Sequence, residues 1–197
     1  LIFEDKVTRG DWQLYLDFKA TIVDELRGFY RSSFKDSEDK DVWIATTQFE
    51  PTAARMAFPC WDEPEFKAVF SIALTTESDL IRISNEKVLN ESIENNRTTT
   101  KFVDSMRMST YLVAFVVGKL EVSKIGSSKT TDVGIVHRPG FSDQTNFAGT
   151  AAVKILDFFE EYYGINYPGS KLDLVAIPDF AMGAMENVGA VTFRETL

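Results

Sequence analysis

Apolar and polar residues alternate along much of the first 140 positions of the chain. Two segments, 11–21 and 67–76, carry an apolar residue at every second position: Trp12, Leu14, Leu16 and Phe18 in the first, and Ala68, Phe70, Ile72 and Leu74 in the second. Successive side chains of a strand point to opposite faces, so this pattern predicts half-buried strands. The more continuously apolar segment 110–118 predicts a strand covered on both faces. Further short strands are predicted at 101–102 and 132–138.

Polar segments separate these runs. The segment 31–41 is charged and predicts an exposed hairpin tip, and 90–100 predicts a polar loop. The run 126–129 is typical of a short turn.

The pattern changes after Pro139-Gly140. Ser142 or Asp143 can cap a helix, because their side-chain oxygens can accept the free N–H groups of a first turn. Apolar residues then recur at helical spacing, at Ala151, Ile155, Phe158 and Tyr162. Gly164 predicts the end of this helix, and strands follow at 171–177 and 190–194. We therefore predict a domain boundary near residue 140, with a β domain over 1–139 and a second unit over 140–197.

Composition and charge exclude several classes of function. The 197 residues suffice for one large or two small domains and are ordinary for a globular protein. The net charge of −9 argues against nucleic acid or an anionic membrane as the main partner. It suits a cationic ligand such as the α-ammonium of a peptide, although solubility alone also explains it. No apolar run is long enough to predict a membrane span.

The single cysteine, Cys60, allows no intrachain disulfide. It lies in an apolar, proline-flanked run, which predicts a buried and inert thiol. The chain does not begin with methionine and stops within a pattern at Leu197, so we expect it to be a segment of a longer protein.

The turn Gly183-Ala184-Met185-Glu186-Asn187 lies between the two last predicted strands. Gly183 and Gly189 allow a ligand to approach the backbone closely. An enzyme that acts on chain ends must detect the α-ammonium, and a fixed carboxylate such as Glu186 can do so through a charge-assisted hydrogen bond of roughly 1.5–3 kcal/mol. From composition alone, an ordinary turn is the simpler interpretation.

A second segment, 47–64, reads as a strand that ends at Phe49 and continues into a turn or short helix. On its residues alone, Arg55, Asp62 and Glu63 form solvated or local ion pairs. Yet this segment and the 183–187 turn both resemble the aminopeptidase N family of gluzincin zinc aminopeptidases. The turn resembles the family's exopeptidase signature, and 47–64 resembles its N-terminal domain, most closely in the oxytocinase and endoplasmic-reticulum branch. Segments 28–32 and 108–115 fit as well, so the resemblance covers nearly the whole chain.

The resemblance implies a fold that is mainly β. A saddle-like antiparallel β domain would occupy 1–139, and 140–197 would supply the first helix and strands of a thermolysin-like α/β catalytic domain. It implies removal of N-terminal residues from peptides, with Glu186 and Glu50 binding the substrate α-amine. Three donors of an ammonium can be held in one orientation by two carboxylates.

The resemblance also assigns the residues around the two acids. The backbone of Gly183 and Ala184 would bind the substrate main chain. Gln48 and Met182 would shape the pocket for the first substrate side chain, and the remaining signature residues, Met185 and Asn187, belong to the same substrate-binding set. Val188 departs from relatives that often carry tryptophan there.

Family members hold zinc through an H-E-x-x-H motif and a downstream glutamate. This sequence has one histidine, His137, and no such motif. The resemblance therefore implies no catalytic residue and no metal ligand in this segment, with the zinc ligands beyond Leu197 and the segment alone inactive. His137 reads as a strand residue.

Two glycosylation sequons, at Asn90 and Asn96, fit a luminal or extracellular protein, although such sequons also arise by chance in a Ser/Thr-rich loop. The family resemblance favours the secretory pathway, as an extracellular or membrane-anchored ectodomain, with a cytoplasmic location as the alternative. Two functions compete with the peptidase. One is a catalytically inactive module that binds peptides or proteins. The other is a relative that also hydrolyses an epoxide-containing lipid, against which Ala184 argues because that branch carries glycine there. Residue preference and oligomeric state are left open by the sequence.

Overall fold

A computed structural model describes residues 6–196. Within that range lie one α-helix, α1 (Thr145–Tyr163), and twelve strands: β1 (Gly28–Lys35), β2 (Asp41–Gln48), β3 (Ala73–Glu77), β4 (Ile81–Ser84), β5 (Val88–Glu94), β6 (Arg97–Phe102), β7 (Phe115–Gly118), β8 (Glu121–Ser128), β9 (Thr131–His137), β10 (Lys171–Ile177), β11 (Ala184–Met185) and β12 (Ala190–Arg194). Short 3-10 helices span Ala54–Met56, Thr110–Leu112 and Ser142–Gln144. The predicted fold class, mainly β with a helix after antiparallel sheets, is confirmed.

The strands form three sheets. Two are antiparallel, with the orders β1-β2-β7-β4 and β3-β6-β5. The third has the order β11-β12-β10-β9-β8, and its central strand β10 runs parallel to both neighbours. The predicted boundary at residue 140 falls between β9 and α1, and strands from both sides of that position share this five-stranded sheet.

One apolar core joins the first sheet to the five-stranded sheet. It contains Tyr30, Ile44, Val116, Leu120, Val136, Val175, Ile177, Phe180 and Met185. Burial of a large apolar side chain contributes about 1.5–3 kcal/mol, so this shared core is a strong constraint on how the two sheets sit together. It places the end of β2 beside β11, where the candidate site lies.

Four strand predictions succeed because their signals are local. β10 and β12 have the predicted bounds, β9 differs from its prediction by one residue at each end, and β2 ends one residue before Phe49. In β10, however, Asp173 and Val175 are buried, whereas Leu174 and Ala176 of the predicted apolar face are only partly buried. A parallel strand at the centre of a sheet is covered on both faces, so simple alternation understates its burial.

The predicted strand at 11–21 is wrong. These residues form no sheet pairs, and their apolar side chains are exposed, Trp12 at 65%. An alternating segment becomes a strand only where a second strand exchanges backbone hydrogen bonds with it. Among the described residues, no strand lies beside this segment.

The predicted loop at 90–100 is also wrong, because β5 and β6 form a hairpin there. Asn95 and Asn96 occupy its two-residue turn with positive φ values of 50° and 59°, which asparagine tolerates well. Thr98 and Thr100 supply the buried face of β6. Polar but β-branched residues therefore build a strand that hydrophobicity alone does not reveal.

Two other predicted strands and two predicted turns have shifted bounds. The segment 67–76 contributes only β3, which begins at Ala73. Before it, the Ile72 carbonyl accepts from the Phe102 amide, and Phe70 bonds both the amide and the hydroxyl of Ser105. The segment 110–118 begins as a 3-10 helix, and only β7 is a strand. The hairpin tip is shorter than the predicted 31–41, because β1 continues to Lys35 and β2 begins at Asp41. Residues 126–128, predicted as part of a turn, belong to β8.

The helix α1 is confirmed, and it ends at Gly164 in a left-handed conformation with φ 64°. No side chain caps its start; instead the 3-10 turn Ser142–Gln144 leads into it, and Thr145 Oγ1 donates to the Ser142 carbonyl. Its predicted apolar row is exposed at Ile155, Phe158 and Tyr162. The face that packs is built on Gly149, where a Cβ would lie 2.4 Å from Ile125. None of the helices in residues 6–196 combines the length and hydropathy needed to cross a membrane.

Candidate functional site

The turn around Glu186 has a strict inside-outside pattern. Ala184 and Glu186 are exposed, whereas Met185 and Asn187 are each only 1% exposed. Successive side chains of an extended segment point to opposite sides. Burial of the two flanking residues therefore directs the Glu186 carboxylate outward.

Ala184 and Met185 form an edge strand. β11 pairs with β12 in the antiparallel sense, and the Gly183 carbonyl accepts a hydrogen bond of 2.9 Å from the Arg194 amide. In the part of the chain that the structure describes, no strand lies on the other side of β11. An extended peptide can add a strand to such an edge.

The end of β2 lies against this edge. Gln48 is 4% exposed, and its Nε2 lies 3.6 Å from the Met185 Sδ. The Gln48 Oε1 is buried and has no hydrogen-bond partner. Burial of an amide oxygen without a hydrogen-bond partner costs about 1–3 kcal/mol of folding free energy. A donor group of a ligand could bind this oxygen.

Glu50 follows two residues after Gln48 and is exposed. Consecutive Cα atoms are about 3.8 Å apart, so the Glu50 Cα lies within about 7.6 Å of the Gln48 Cα. Glu186 directly follows Met185, which Gln48 contacts. The structure therefore brings the two predicted acids to adjoining segments, both on the surface.

Met182 lies in the loop that enters β11 and is 48% exposed. Among the contacts that hold the start of this loop, the Tyr30 hydroxyl donates to the Asp179 carbonyl over 2.8 Å, and Arg194 Nε donates to the Phe180 carbonyl over 2.9 Å. Burial, with a smaller contribution from Asp179, raises the pKa of Tyr30 well above its usual value, so the hydroxyl stays protonated as a donor. The loop is fixed at its base while Met182 is free to contact a ligand.

Three residues beside the turn are not indicated by the sequence. Asn85, Tyr167 and Lys171 make polar contacts with the backbone at Val188 and Gly189. Burial raises the pKa of Tyr167 and lowers that of Lys171, although Asp173 opposes the latter shift. Their only sequence signal is Lys171 itself, a charged residue at the start of an otherwise apolar strand.

The residues that the structure describes do not form a zinc site. His137 is buried, with Nε2 at 2.8 Å from the Ser123 hydroxyl and Nδ1 at 2.7 Å from the Arg138 carbonyl, so both ring nitrogens are engaged. Across residues 6–196, no three side chains of the metal-binding types come together.

A large apolar cavity lies elsewhere. Its volume is about 510 Å³, and its lining includes Phe18, Phe29, Phe58, Phe70 and Phe115, but none of the predicted site residues. Its walls carry no charged group, so it does not suit an ammonium.

Comparison with known proteins gives the context for this geometry. Residues 2–112 match the model of the peptidase M1 N-terminal domain, and residues 147–197 match the peptidase family M1 domain. Aminopeptidase M1-B of Oryza sativa subsp. japonica is 46% identical over 95% of this chain and 21% of its own length. Aminopeptidase M1 of Arabidopsis thaliana is 43% identical over 100% of this chain and 22% of its own length. Endoplasmic reticulum aminopeptidase 2 of Homo sapiens is 47% identical over 100% of this chain and 21% of its own length. The chain thus spans about a fifth of the length of the curated relatives it matches.

Proposed function

Because the chain belongs to peptidase family M1, we propose that it is the substrate-recognition portion of an aminopeptidase that removes N-terminal residues from peptides. The observation that carries this proposal is the outward-facing Glu186 on an open sheet edge, with the Gln48–Met185 contact bringing the Glu50 segment beside it. Glu186 and Glu50 bind the substrate α-amine. Two exposed carboxylates on separate, rigid segments can fix an ammonium in one orientation.

The sheet edge orients the rest of the substrate. The backbone at Gly183 and Ala184 hydrogen-bonds the substrate main chain as an added strand. The first substrate side chain then lies between Gln48 and Met182. In this proposal the peptide bond after the N-terminal residue lies at a fixed distance from the two acids, so binding of the amine also selects the bond that is cleaved.

Family M1 is a zinc metallopeptidase family. We propose that the whole protein carries zinc and that its ligands lie outside this segment. The sequence has a single histidine and no H-E-x-x-H motif, and within residues 6–196 no three metal-binding side chains come together. The metal would activate water and polarise the scissile carbonyl. This chain's residues contribute binding and orientation.

The direct test uses the full-length protein and an unblocked aminoacyl substrate such as leucine p-nitroanilide. Glu186→Ala should lower kcat/KM by at least about tenfold, since one charge-assisted hydrogen bond is worth roughly 1.5–3 kcal/mol. Glu94→Gln, which removes an exposed acid from a different sheet, is the control and should leave kcat/KM unchanged. A full-length protein that binds peptides through Glu186 without turnover would support the inactive binding module instead.

The secretory pathway is the proposed location. Asn90 and Asn96 are both exposed, Asn90 on the edge strand β5 and Asn96 in the turn of its hairpin, so each can carry a glycan without disturbing the core. Treatment of the protein from its native source with a peptide N-glycosidase should lower its mass by one or two glycans. An unchanged mass would favour the cytoplasmic alternative.

A further inference from the structure

The segment that follows Glu186 is held by side chains from two distant parts of the chain. The Val188 carbonyl accepts a hydrogen bond of 2.8 Å from Asn85 Nδ2. The Gly189 amide donates to the Tyr167 hydroxyl over 2.8 Å, and the Gly189 carbonyl accepts from Lys171 Nζ over 2.6 Å and from the Asp173 amide over 3.0 Å. The polar backbone atoms of this short stretch are thus bonded on two sides.

Asn85 directly follows β4, and it joins this stretch to the sheet β1-β2-β7-β4, which we call the N-terminal sheet. It is 1% exposed, and it also donates to the Leu112 carbonyl over 2.8 Å and accepts from the Ala114 amide over 2.9 Å. One side chain therefore bonds three backbone groups on two segments, 112–114 and 188, that lie far apart in sequence. Hydrogen bonds are directional, so these three bonds fix the distance between the two segments.

The same segment leads to the other acid. Phe115, next to Ala114, donates its amide to Thr47 Oγ1 over 3.2 Å. Thr47 precedes Gln48, and Glu50 follows three residues after Thr47. A short series of hydrogen bonds therefore connects the Glu186 turn, through Asn85 and 114–115, to the end of β2 that carries Glu50.

The backbones of Gly189 and Asn85 are in close contact. Gly189 has φ 75°, and a Cβ there would lie 1.8 Å from the Asn85 carbonyl oxygen. Two backbones approach this closely only where one residue is glycine. The contact brings the Asn85 backbone, as well as its side chain, directly against the turn.

We propose that Asn85, with Tyr167 and Lys171, is a positioning group that sets the distance between the Glu186 and Glu50 carboxylates. Asn85 holds the turn from the side of the N-terminal sheet, and Tyr167 and Lys171 hold it from the side of the five-stranded sheet. The inference rests on the proposed function, because the spacing of the two acids matters only if they share one amine.

The test measures preference for an α-amine in the full-length protein. The readout is the inhibition constant of 4-methylpentanohydroxamate, which lacks the amine, divided by that of leucine hydroxamate, and this ratio reports amine recognition alone. Asn85→Asp removes both amide donors while keeping the shape, and Tyr167→Phe removes one acceptor at the turn's other side. Each should lower the ratio by about tenfold, because a small misplacement of a charged partner weakens its hydrogen bond strongly.

Ser105→Ala is the matched control. Ser105 is buried, and its hydroxyl donates to the Met106 carbonyl over 2.7 Å and accepts from the Phe70 amide over 2.9 Å, so these bonds lie outside the turn and the 112–115 segment. It should lower thermal stability without changing the ratio. If Asn85→Asp does not fold, Tyr167→Phe carries the test.

Glu186→Gln distinguishes a failure of the positioning role from a failure of the proposed function. A ratio that falls in Glu186→Gln but stays at the wild-type value in Asn85→Asp and Tyr167→Phe would overturn the positioning role and leave the proposed function intact. A ratio unchanged in Glu186→Gln would overturn both.

Discussion

The amide Nε2 of Gln48 lies 3.6 Å from the Sδ of Met185, two residues that are 137 positions apart in the chain. This contact joins the end of β2 to the residue before Glu186. It also leaves the Gln48 Oε1 buried without a partner, so a residue in the predicted substrate pocket carries an unsatisfied group. Sites that bind ligands often retain such locally unfavourable features.

Gln48→Met should therefore stabilise the free protein. Methionine has a similar volume and removes the unpartnered oxygen, so we expect the free energy of unfolding to rise by about 1 kcal/mol. Urea denaturation of both proteins checks this. The same variant should alter the preference for the first substrate residue, and a loss of stability of more than about 1 kcal/mol would show that Gln48 is well satisfied.

Much of the fold follows from local signals. The bounds of β10 and β12 and the end of α1 at Gly164 were predictable, because alternation, helical spacing and glycine act over a few residues. The β5–β6 hairpin was not, since threonines form its buried face. The role of Asn85 was not predictable either. Its partners are backbone groups up to 103 residues away, and nothing in its neighbouring residues records that pairing. The candidate acids were indicated by family resemblance rather than by their composition.

Gly189→Ala should be strongly destabilising. The residue has a positive φ, and the added methyl would meet the Asn85 carbonyl oxygen at 1.8 Å, so we expect a loss of about 3 kcal/mol or more. Gly140→Ala is the matched control, because Gly140 has φ 84° but open space around it. It should cost only about 1–2 kcal/mol. Equal losses in thermal unfolding would mean that backbone conformation, not the contact with Asn85, explains the requirement.

Asp62 should make stability sensitive to acid. Burial raises the pKa of its carboxyl, but hydrogen bonds from Thr110 and Arg55 and the charge of Arg55 outweigh this and hold the pKa below its usual value. A depressed folded-state pKa adds stability above the unfolded pKa of about 3.9, and that stability is lost as the pH falls through the folded value.

Asp62→Asn should therefore lower the free energy of unfolding by about 2–3 kcal/mol at pH 7, and by progressively less below about pH 4. Asp79→Asn is the control, since Asp79 forms an exposed ion pair with Lys119 and should change stability by less than about 0.5 kcal/mol. A deficit in Asp62→Asn that is constant from pH 7 to pH 3 would contradict the role of its charge.

Cys60 should react slowly with alkylating reagents. It is partly exposed rather than buried as the sequence predicted, yet burial and the nearby Asp62 charge raise its pKa to about 11, with Arg55 opposing. The thiolate is the reactive form, so at pH 8 we expect alkylation by iodoacetamide to be about two orders of magnitude slower than for a free thiol. Asp62→Asn should speed the reaction. A rate equal to that of glutathione would show that the thiol is not shielded.

We propose that Glu50 and Glu186 hold one ammonium together. The most direct measurement is the ratio of inhibition constants for 4-methylpentanohydroxamate and leucine hydroxamate in full-length wild type, Glu50→Gln, Glu186→Gln and the double variant. Each single variant should lower the ratio at least about tenfold, and the double variant should lose less than the product of the two, because the second acid acts on an amine already misplaced. A ratio that stays at the wild-type value in both single variants would contradict the account.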